Sequence, residues 1–381
     1  MTVTFDGAPK ADHINFGVGQ PSMDLLPVEL IKKASDGFLA QAQSAEINYG
    51  PLKGDARTLE ALANFLSSHY ETSVHQDNLM LTGGNSQALD FLSSQLITTG
   101  DVVFVEEPSY FLAFQIFKDH GAKLVGIPVD DEGINIEFLE SALAYQKPKL
   151  LYTIPCFHNP CGHTLTVKRR ERLVELAKRH DFIVVADEPY HLLRYQENSP
   201  PPMGDFWQDD VVISMGSFSK ILAPGMRLGW LQTSPNILKQ LLSSGVLNSG
   251  GSFNHFGGHI IRHAMSGELL EQHLRHTKAA LAERVDAMDE ALHQHMSDLC
   301  SWRKPKGGYF FWLQLAAGID TRDLRKVAIE HKTGFQPGPV FSSNQGLENF
   351  LRLSFAHYGC DEIETGVQRL ATALRKHVAG S

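Results

Sequence analysis

From about Gln76 to Gln232 the chain alternates short apolar runs with amphipathic stretches. Leu79-Met80-Leu81 leads into Gly83-Gly84, then into a helical pattern with Leu89, Leu92 and Leu96 on one face. Val102-Val103-Phe104-Val105 follows, with a second amphipathic stretch around Phe111 to Lys118. Leu150-Leu151-Tyr152-Thr153-Ile154 is next, and Val167 to His180 carries helix spacing at Leu173, Val174, Leu176 and Ala177. Phe182-Ile183-Val184-Val185-Ala186 and Val211-Val212-Ile213-Ser214-Met215 read as short buried strands. Runs apolar at every position are what a strand covered on both faces requires. The βαβα rhythm predicts an α/β domain with a mostly parallel sheet sandwiched by helices.

The pattern changes after residue 301. Gly307-Gly308 marks a turn, Tyr309-Phe310-Phe311-Trp312-Leu313 reads as a strand, and Phe350-Leu351-Arg352-Leu353-Ser354 as another. A final helix places Ile363, Val367, Leu370 and Leu374 on one face. We read this as a smaller α+β domain completed by the N-terminal segment. The expected division is 1–45 as the N-terminal part of the small domain, 46–285 as the large domain and 286–381 as the rest of the small one. Pro200-Pro201-Pro202 is expected to be a rigid surface loop, not a linker.

With 381 residues the chain can bury a large core and divide into two domains. A hydrophobic content of 43% and a charged content of 20% are ordinary for a globular enzyme. The net charge of −9 disfavours nucleic acid or an anionic membrane as a partner. No apolar run approaches bilayer length. Met1-Thr2-Val3-Thr4-Phe5-Asp6 shows no signal peptide, and Ala379-Gly380-Ser381 is no recognised address. Four cysteines in this length do not make a disulfide framework, so we expect reduced thiols and a cytoplasmic protein. No His/Cys set has zinc-like spacing, and no metal is expected. His255 and His259 are expected to face solvent or a helix interior.

In an open α/β sheet the ligand crevice lies beyond the carboxyl ends of the strands. The polar residues at those ends form a distinctive set. Lys220 follows one strand within Ser217-Phe218-Ser219-Lys220 and precedes Pro224-Gly225-Met226-Arg227-Leu228-Gly229. Its amine suits imine formation with an aldehyde cofactor, while Ser217, Ser219 and Arg227 suit the cofactor's phosphate. Thr82-Gly83-Gly84-Asn85-Ser86 opens a helix with free N–H groups, which is a phosphate site or a simple turn. Tyr110 suits stacking on a flat ring, and core packing accounts for it equally well. Asn159, in Asn159-Pro160-Cys161-Gly162, offers an amide donor. Asp187 abuts five apolar residues, where a carboxylate is costly unless paired. A protonated ring nitrogen would offset that cost, and Tyr190 is near enough in sequence to reach the same ligand.

These elements, in this order, resemble the class I/II aminotransferases of the pyridoxal-phosphate fold-type I superfamily. The resemblance runs from Gly17-Val18-Gly19-Gln20-Pro21 to Arg352-Leu353-Ser354-Phe355 and is nearest in pattern to the aminoadipate/kynurenine-type branch. It implies pyridoxal 5'-phosphate as cofactor and an amino group moved from an L-amino acid to a 2-oxo acid, 2-oxoglutarate or pyruvate. It implies that Lys220 forms the imine and shuttles the proton, and that Asp187 keeps the pyridine nitrogen protonated. Asn159 and Tyr190 would bind the 3-oxygen, Tyr110 would stack on the ring, and Asn85, Ser86, Ser217, Ser219 and Arg227 would hold the phosphate. Arg352 matches the arginine that grips the substrate α-carboxylate, and Gly19 lines the same pocket. Tyr49 matches a tyrosine delivered by the neighbouring subunit, which implies a homodimer.

The chain departs from the family at Gly54-Asp55-Ala56-Arg57-Thr58-Leu59 and at Asn85-Ser86-Gln87, neither of which touches the lysine chemistry. A lyase, decarboxylase or oxidase would use the same machinery. A ligand sensor of the aminotransferase-like transcription regulators would need a DNA-binding head, for which the chain shows no room.

Overall fold

A computed structural model describes residues 12–70, 72–195 and 199–379. Met1 to Asp6 and the last two residues, on which the targeting expectations rest, lie outside the described residues. The eight-stranded central sheet has the order Leu79–Thr82, Gly229–Thr233, Val212–Ser217, Ile183–Asp187, Leu150–Thr153, Val102–Glu107, Lys123–Asp130, Gly133–Ile134. Neighbours from Val212–Ser217 through Lys123–Asp130 run parallel, as the alternating pattern predicts. Gly229–Thr233 is antiparallel to both its neighbours. Lys123–Asp130 was not visible as a strand in the sequence: Leu124, Val125, Gly126, Pro128 and Val129 are only half-buried, as near a sheet edge.

Every second residue of the inner strands serves the opposite core. Val103, Val105, Tyr152, Val185, Ile213 and Met215 pack under the helices Asn85–Leu96, Phe111–Asp119 and Pro235–Leu242. Phe104, Leu151, Val184, Ala186 and Val212 pack under Ile136–Leu143 and Val167–His180. Each fully buried side chain of this size contributes about 1.5–3 kcal/mol. The sheet is therefore rigid, and the loops at its carboxyl edge inherit fixed positions.

The C-terminal part forms a four-stranded sheet in the order Cys300–Trp302, Phe310–Leu315, Phe350–Ser354, Gln336–Pro337, antiparallel throughout. The helix Cys360–Ala379 packs on Leu269–Met296, a 28-residue helix that runs continuously through residue 285. The N-terminal segment joins this part through a parallel pairing of Ile14–Asn15 with Thr333–Gly334. A little later, Val28–Leu39 packs on His255–Met265, with Phe38 against Phe256 and His259. His259 is fully buried and stacks on Phe38 at 5.0 Å. A Cβ on Gly37 would stand 3.2 Å from His263 Nδ1, so this glycine lets the two helices approach closely. Among the described residues no helix is long and apolar enough to cross a membrane.

Candidate active site

The strand Ile183–Asp187 delivers Asp187 to the carboxyl edge with its carboxylate buried. Tyr152 Oη donates to one oxygen at 2.7 Å and Asn85 Nδ2 to the other at 2.5 Å. Burial raises the Asp187 carboxyl above its ordinary value, and those two donors oppose the rise. No cationic side chain donates to it among the described residues. Asp187 is thus a carboxylate held by neutral donors and facing a crevice, which suits a protonated ring nitrogen.

Lys220 lies three residues beyond the strand Val212–Ser217 and reaches back across the crevice. Its Nζ donates to Gly19 O at 2.9 Å and sits 5.4 Å from the ring centre of Tyr309. Burial, then Arg352 and Arg227, lower the amine to about 8, while Asp187 pulls the other way. A lysine near 8 keeps a large neutral fraction at physiological pH, as imine chemistry requires.

The helix Asn85–Leu96 starts directly after Gly84, which has φ +86°. A Cβ at Gly84 would stand 3.0 Å from Arg227 Nη2, so this glycine lets the guanidinium approach the helix N-terminus. Arg227 Nη1 is 3.5 Å from Ser219 Oγ, and Ser217 Oγ accepts from Ser219 N at 3.0 Å. Ser86 is exposed on the first helical turn. A helix N-terminus, a guanidinium and hydroxyls in one place form a phosphate cradle. The side chain of Asn85 departs from the expected phosphate role. Its amide is spent on Asp187, because the first helical residue points along the sheet edge towards that strand. Asn85 Oδ1 and Thr82 Oγ1 remain buried without partners.

Arg352 is 4% exposed in the strand Phe350–Ser354, packed over the rings of Phe310 at 4.1 Å and Phe341 at 4.9 Å. Nη1 donates to Asn159 Oδ1 at 2.8 Å and Nη2 to Gly17 O at 3.0 Å. Nε is buried without a partner. Desolvation lowers the guanidinium to about 10, and the groups that oppose the fall are the phenols of Tyr190 and Tyr110, not a carboxylate. A buried cation satisfied only by neutral groups is prepared for an anion. A Cβ on Gly19 would meet the Phe310 ring at 3.2 Å, with Arg352 Nη2 at 3.7 Å, so the bare glycine keeps the space in front of the guanidinium open.

Tyr110 precedes the helix Phe111–Asp119, and burial beside Asp187 raises its phenol to about 12. Tyr190 is buried against Tyr309 and Phe310. Tyr49 stands apart from this set and is 80% exposed. Arg57 pairs with Glu46 at 2.5 Å on the surface, away from the crevice. Three contributors escaped the sequence reading: Tyr152, Phe310 and Phe341. Tyr152 and Phe310 sit in apolar runs where an aromatic reads as core, Phe341 in the Pro/Gly-rich turn Gly338–Phe341, and only the spatial proximity of Asp187 and Arg352 singles them out.

The buried carboxylate, the lysine near 8 and the glycine-opened phosphate cradle together fit pyridoxal phosphate. Residues 11–370 match the model of the family "Aminotransferase class I and II". Aromatic-amino-acid aminotransferase 1 of Thermococcus litoralis is 35% identical over 97% of this chain and 89% of its own length. The kynurenine aminotransferase of Pyrococcus horikoshii superposes with a TM-score of 0.90 at 35% identity, over 96% of this chain and 92% of that one. LysN, the α-aminoadipate aminotransferase of Thermus thermophilus, was solved with N-(5'-phosphopyridoxyl)-L-leucine. It superposes at 0.89 with 29% identity, over 97% of this chain and 94% of that one. The chain belongs to the class I and II aminotransferases, enzymes of fold type I that move amino groups with pyridoxal phosphate.

Proposed function

We propose that this aminotransferase takes an L-amino acid with a large flat or apolar side chain as donor and 2-oxoglutarate or pyruvate as acceptor. The observation that carries the reading is the aromatic lining in front of Arg352. Phe310 and Phe341 stand 4.1 Å and 4.9 Å from the Arg352 guanidinium, and Tyr190 packs edge-on against Phe310. Arg352 is the guanidinium placed for the donor's α-carboxylate, and Arg227 lies at the phosphate cradle. Phe310, Phe341, Tyr110 and Tyr190 supply apolar and aromatic walls. Among the relatives, the aromatic-amino-acid and kynurenine aminotransferases and the leucine adduct of LysN point the same way. LysN's name as an α-aminoadipate aminotransferase points instead to an acidic donor, a class that the donor screen below includes.

In this reading bound pyridoxal phosphate supplies the electron sink that makes the donor's Cα proton removable. Lys220 Nζ would hold the cofactor and would carry the proton from and to the donor's Cα. Asp187 holds the ring nitrogen's proton through a charge-assisted hydrogen bond. Asn159, whose Oδ1 is taken by Arg352, would offer its NH2, with the Tyr190 phenol, to the ring's 3-oxygen. Tyr110 would flank the ring, and the Asn85 backbone, Ser86, Ser217, Ser219 and Arg227 would hold the phosphate. Arg352 orients the donor by its carboxylate, in the pocket that Gly19 keeps open.

The working unit we propose is a homodimer in the cytoplasm. Tyr49 and Ile47 are large and exposed on one loop, and Gly251 leaves room for the Gly50 carbonyl that follows. All four cysteines are free, as a reducing compartment requires. A donor screen against 2-oxoglutarate and pyruvate, following cofactor absorbance, tests the substrate reading. The expected order puts phenylalanine, tyrosine, kynurenine and leucine above aspartate and glutamate in kcat/KM. A clear preference for aspartate would overturn it.

A further inference from the structure

A carboxylate on the central sheet grips the loop that carries Phe341. Glu107 ends the strand Val102–Glu107, and Ser343 lies just past the short turn Gly338–Phe341, which leads from Gln336–Pro337 of the C-terminal sheet. Glu107 Oε2 accepts from Ser343 N at 2.7 Å and from Ser343 Oγ at 2.5 Å. Two donors from one residue on one carboxylate oxygen make a charge-assisted pair, stronger than a neutral contact. Glu107 Oε1 is buried without a partner, so the Ser343 pair compensates the charge. Ser109 N adds a bond to Phe341 O at 2.9 Å.

The neighbouring strand reserves space for this pair. Gly126 lies in Lys123–Asp130, which runs parallel to Val102–Glu107. A Cβ there would stand 2.7 Å from Ser343 Oγ and 2.9 Å from Glu107 Oε2. Gly126 is not among the glycines of positive φ, so its backbone accepts a side chain and only the space forbids one. Beyond Ser343 the loop is closed on itself, with Ser342 Oγ accepting from Asn344 N at 3.3 Å and Gly346 N at 3.0 Å. A shift of Ser343 is therefore passed along the turn.

The residue so held bears on the site. Phe341 is fully buried, with its ring centre 4.9 Å from the Arg352 guanidinium. It meets Phe111 beside the central sheet edge-on at 5.4 Å and Trp312 of the C-terminal sheet at 5.6 Å. A ring face stabilises a desolvated cation only while the two keep their places.

We propose that Glu107 is a positioning residue for donor binding: through Ser343 it fixes the turn Gly338–Phe341, and with it the ring that supports Arg352. The inference rests on Arg352 as the partner of the donor's α-carboxylate. Every amino donor brings that carboxylate, so the latch acts on binding, for donors of unlike side chain alike. Lys220 and Asp187 lie outside it, and the proton transfer is left alone.

Stopped-flow half-reactions of the holoenzyme with L-phenylalanine, L-leucine and L-glutamate, followed by cofactor absorbance, separate the donor's dissociation constant from the limiting rate. For every one of these that reacts, Glu107→Ala should raise the dissociation constant about tenfold and keep the limiting rate within about twofold. Glu107→Gln keeps an acceptor for Ser343 N and should fall between. Adding Ser343→Ala to Glu107→Ala should cost almost nothing further, because both remove one interaction. Gly126→Ala drives a methyl between the partners and should reproduce the loss while replacing neither. Melting temperature and cofactor absorbance certify folding, and if Gly126→Ala does not fold, Glu107→Gln and Ser343→Ala decide. Unchanged dissociation constants in Glu107→Ala, while Arg352→Lys raises them, overturn the latch alone. If Arg352→Lys leaves them unchanged too, the α-carboxylate reading falls and the latch with it. A limiting rate that falls as far as affinity does, or additive losses in the double variant, would make the contact merely structural and also overturn the proposal.

Discussion

Asn159 Oδ1 accepts from Arg352 Nη1 at 2.8 Å, so a turn at the edge of the large sheet and a strand of the small one meet inside the crevice. The guanidinium is thereby oriented before substrate arrives, stacked on Phe310 and held by Gly17 O. Lysine has one point charge and no fork, and cannot keep both contacts while presenting a pair of N–H groups. Arg352→Lys is therefore expected to raise KM for every amino donor together, by about 10- to 100-fold, the scale of one lost charged hydrogen bond. Steady-state kinetics with leucine, phenylalanine and glutamate read this directly. Loss confined to acidic donors would make Arg352 a side-chain receptor instead.

Asp187 separates catalysis from stability. Its carboxylate is buried, and burial outweighs its hydrogen bonds from Tyr152 and Asn85 and the more distant charge of Lys220. The apoenzyme therefore gains little from the charge. Asp187→Asn should leave the apoenzyme melting temperature unchanged or slightly raised. The holoenzyme should lose at least about 100-fold in kcat, equivalent to about 2.7 kcal/mol of barrier. A variant with near wild-type kcat would show that the acid only fills space.

How much of this was legible in sequence depended on whether a residue's chemistry clashed with its surroundings. Asp187, Lys220 and Arg352 stood out because a charge beside or inside an apolar run needs a reason. Tyr152 and Phe310 did not, since an aromatic in a strand is ordinary core, and Phe341 ends the short 3-10 turn Gly338–Phe341, where no pattern marks it. The parallel sheet was readable because both its faces are buried, which erases alternation in the inner strands. The edge strand Lys123–Asp130, with two exposed ends and a half-buried middle, gave no such run. His259 shows the limit for single residues. Its burial follows from Val28–Leu39 packing across it, a contact between segments far apart in sequence that no local pattern encodes.

The amine of Lys220 gives a pH prediction. Burial and two guanidiniums lower it to about 8 from the ordinary 10.5. The neutral form is the nucleophile, so its fraction grows as pH rises through 8 and saturates well below the value for a surface lysine. Recombination of cofactor-free enzyme with pyridoxal phosphate should therefore accelerate about tenfold per pH unit below about 8 and level off above it. Stopped-flow absorbance from about pH 6 to about pH 10.5 measures the profile. A rate still climbing about tenfold per unit at about pH 10 would mean the amine is unperturbed. Lys220→Ala should lose nearly all turnover, and borohydride should fix cofactor to Lys220 alone in the wild type.

Tyr49, like Ser86 and Arg227, is exposed in the single chain. An 80% exposed tyrosine beside an exposed Ile47 is ill-placed for its own crevice and well placed for a neighbour's. Neither Tyr49→Ala nor Lys220→Ala alone should retain more than a few per cent of activity. Mixed subunits behave differently if the site is shared: a heterodimer puts both lesions in one site and leaves the other whole. After subunit exchange, verified by native mass spectrometry, a statistical mixture is half heterodimer with one intact site in two. About a quarter of wild-type activity should therefore return. If exchange is complete and no activity returns, Tyr49 serves its own subunit or none, and the shared site is wrong.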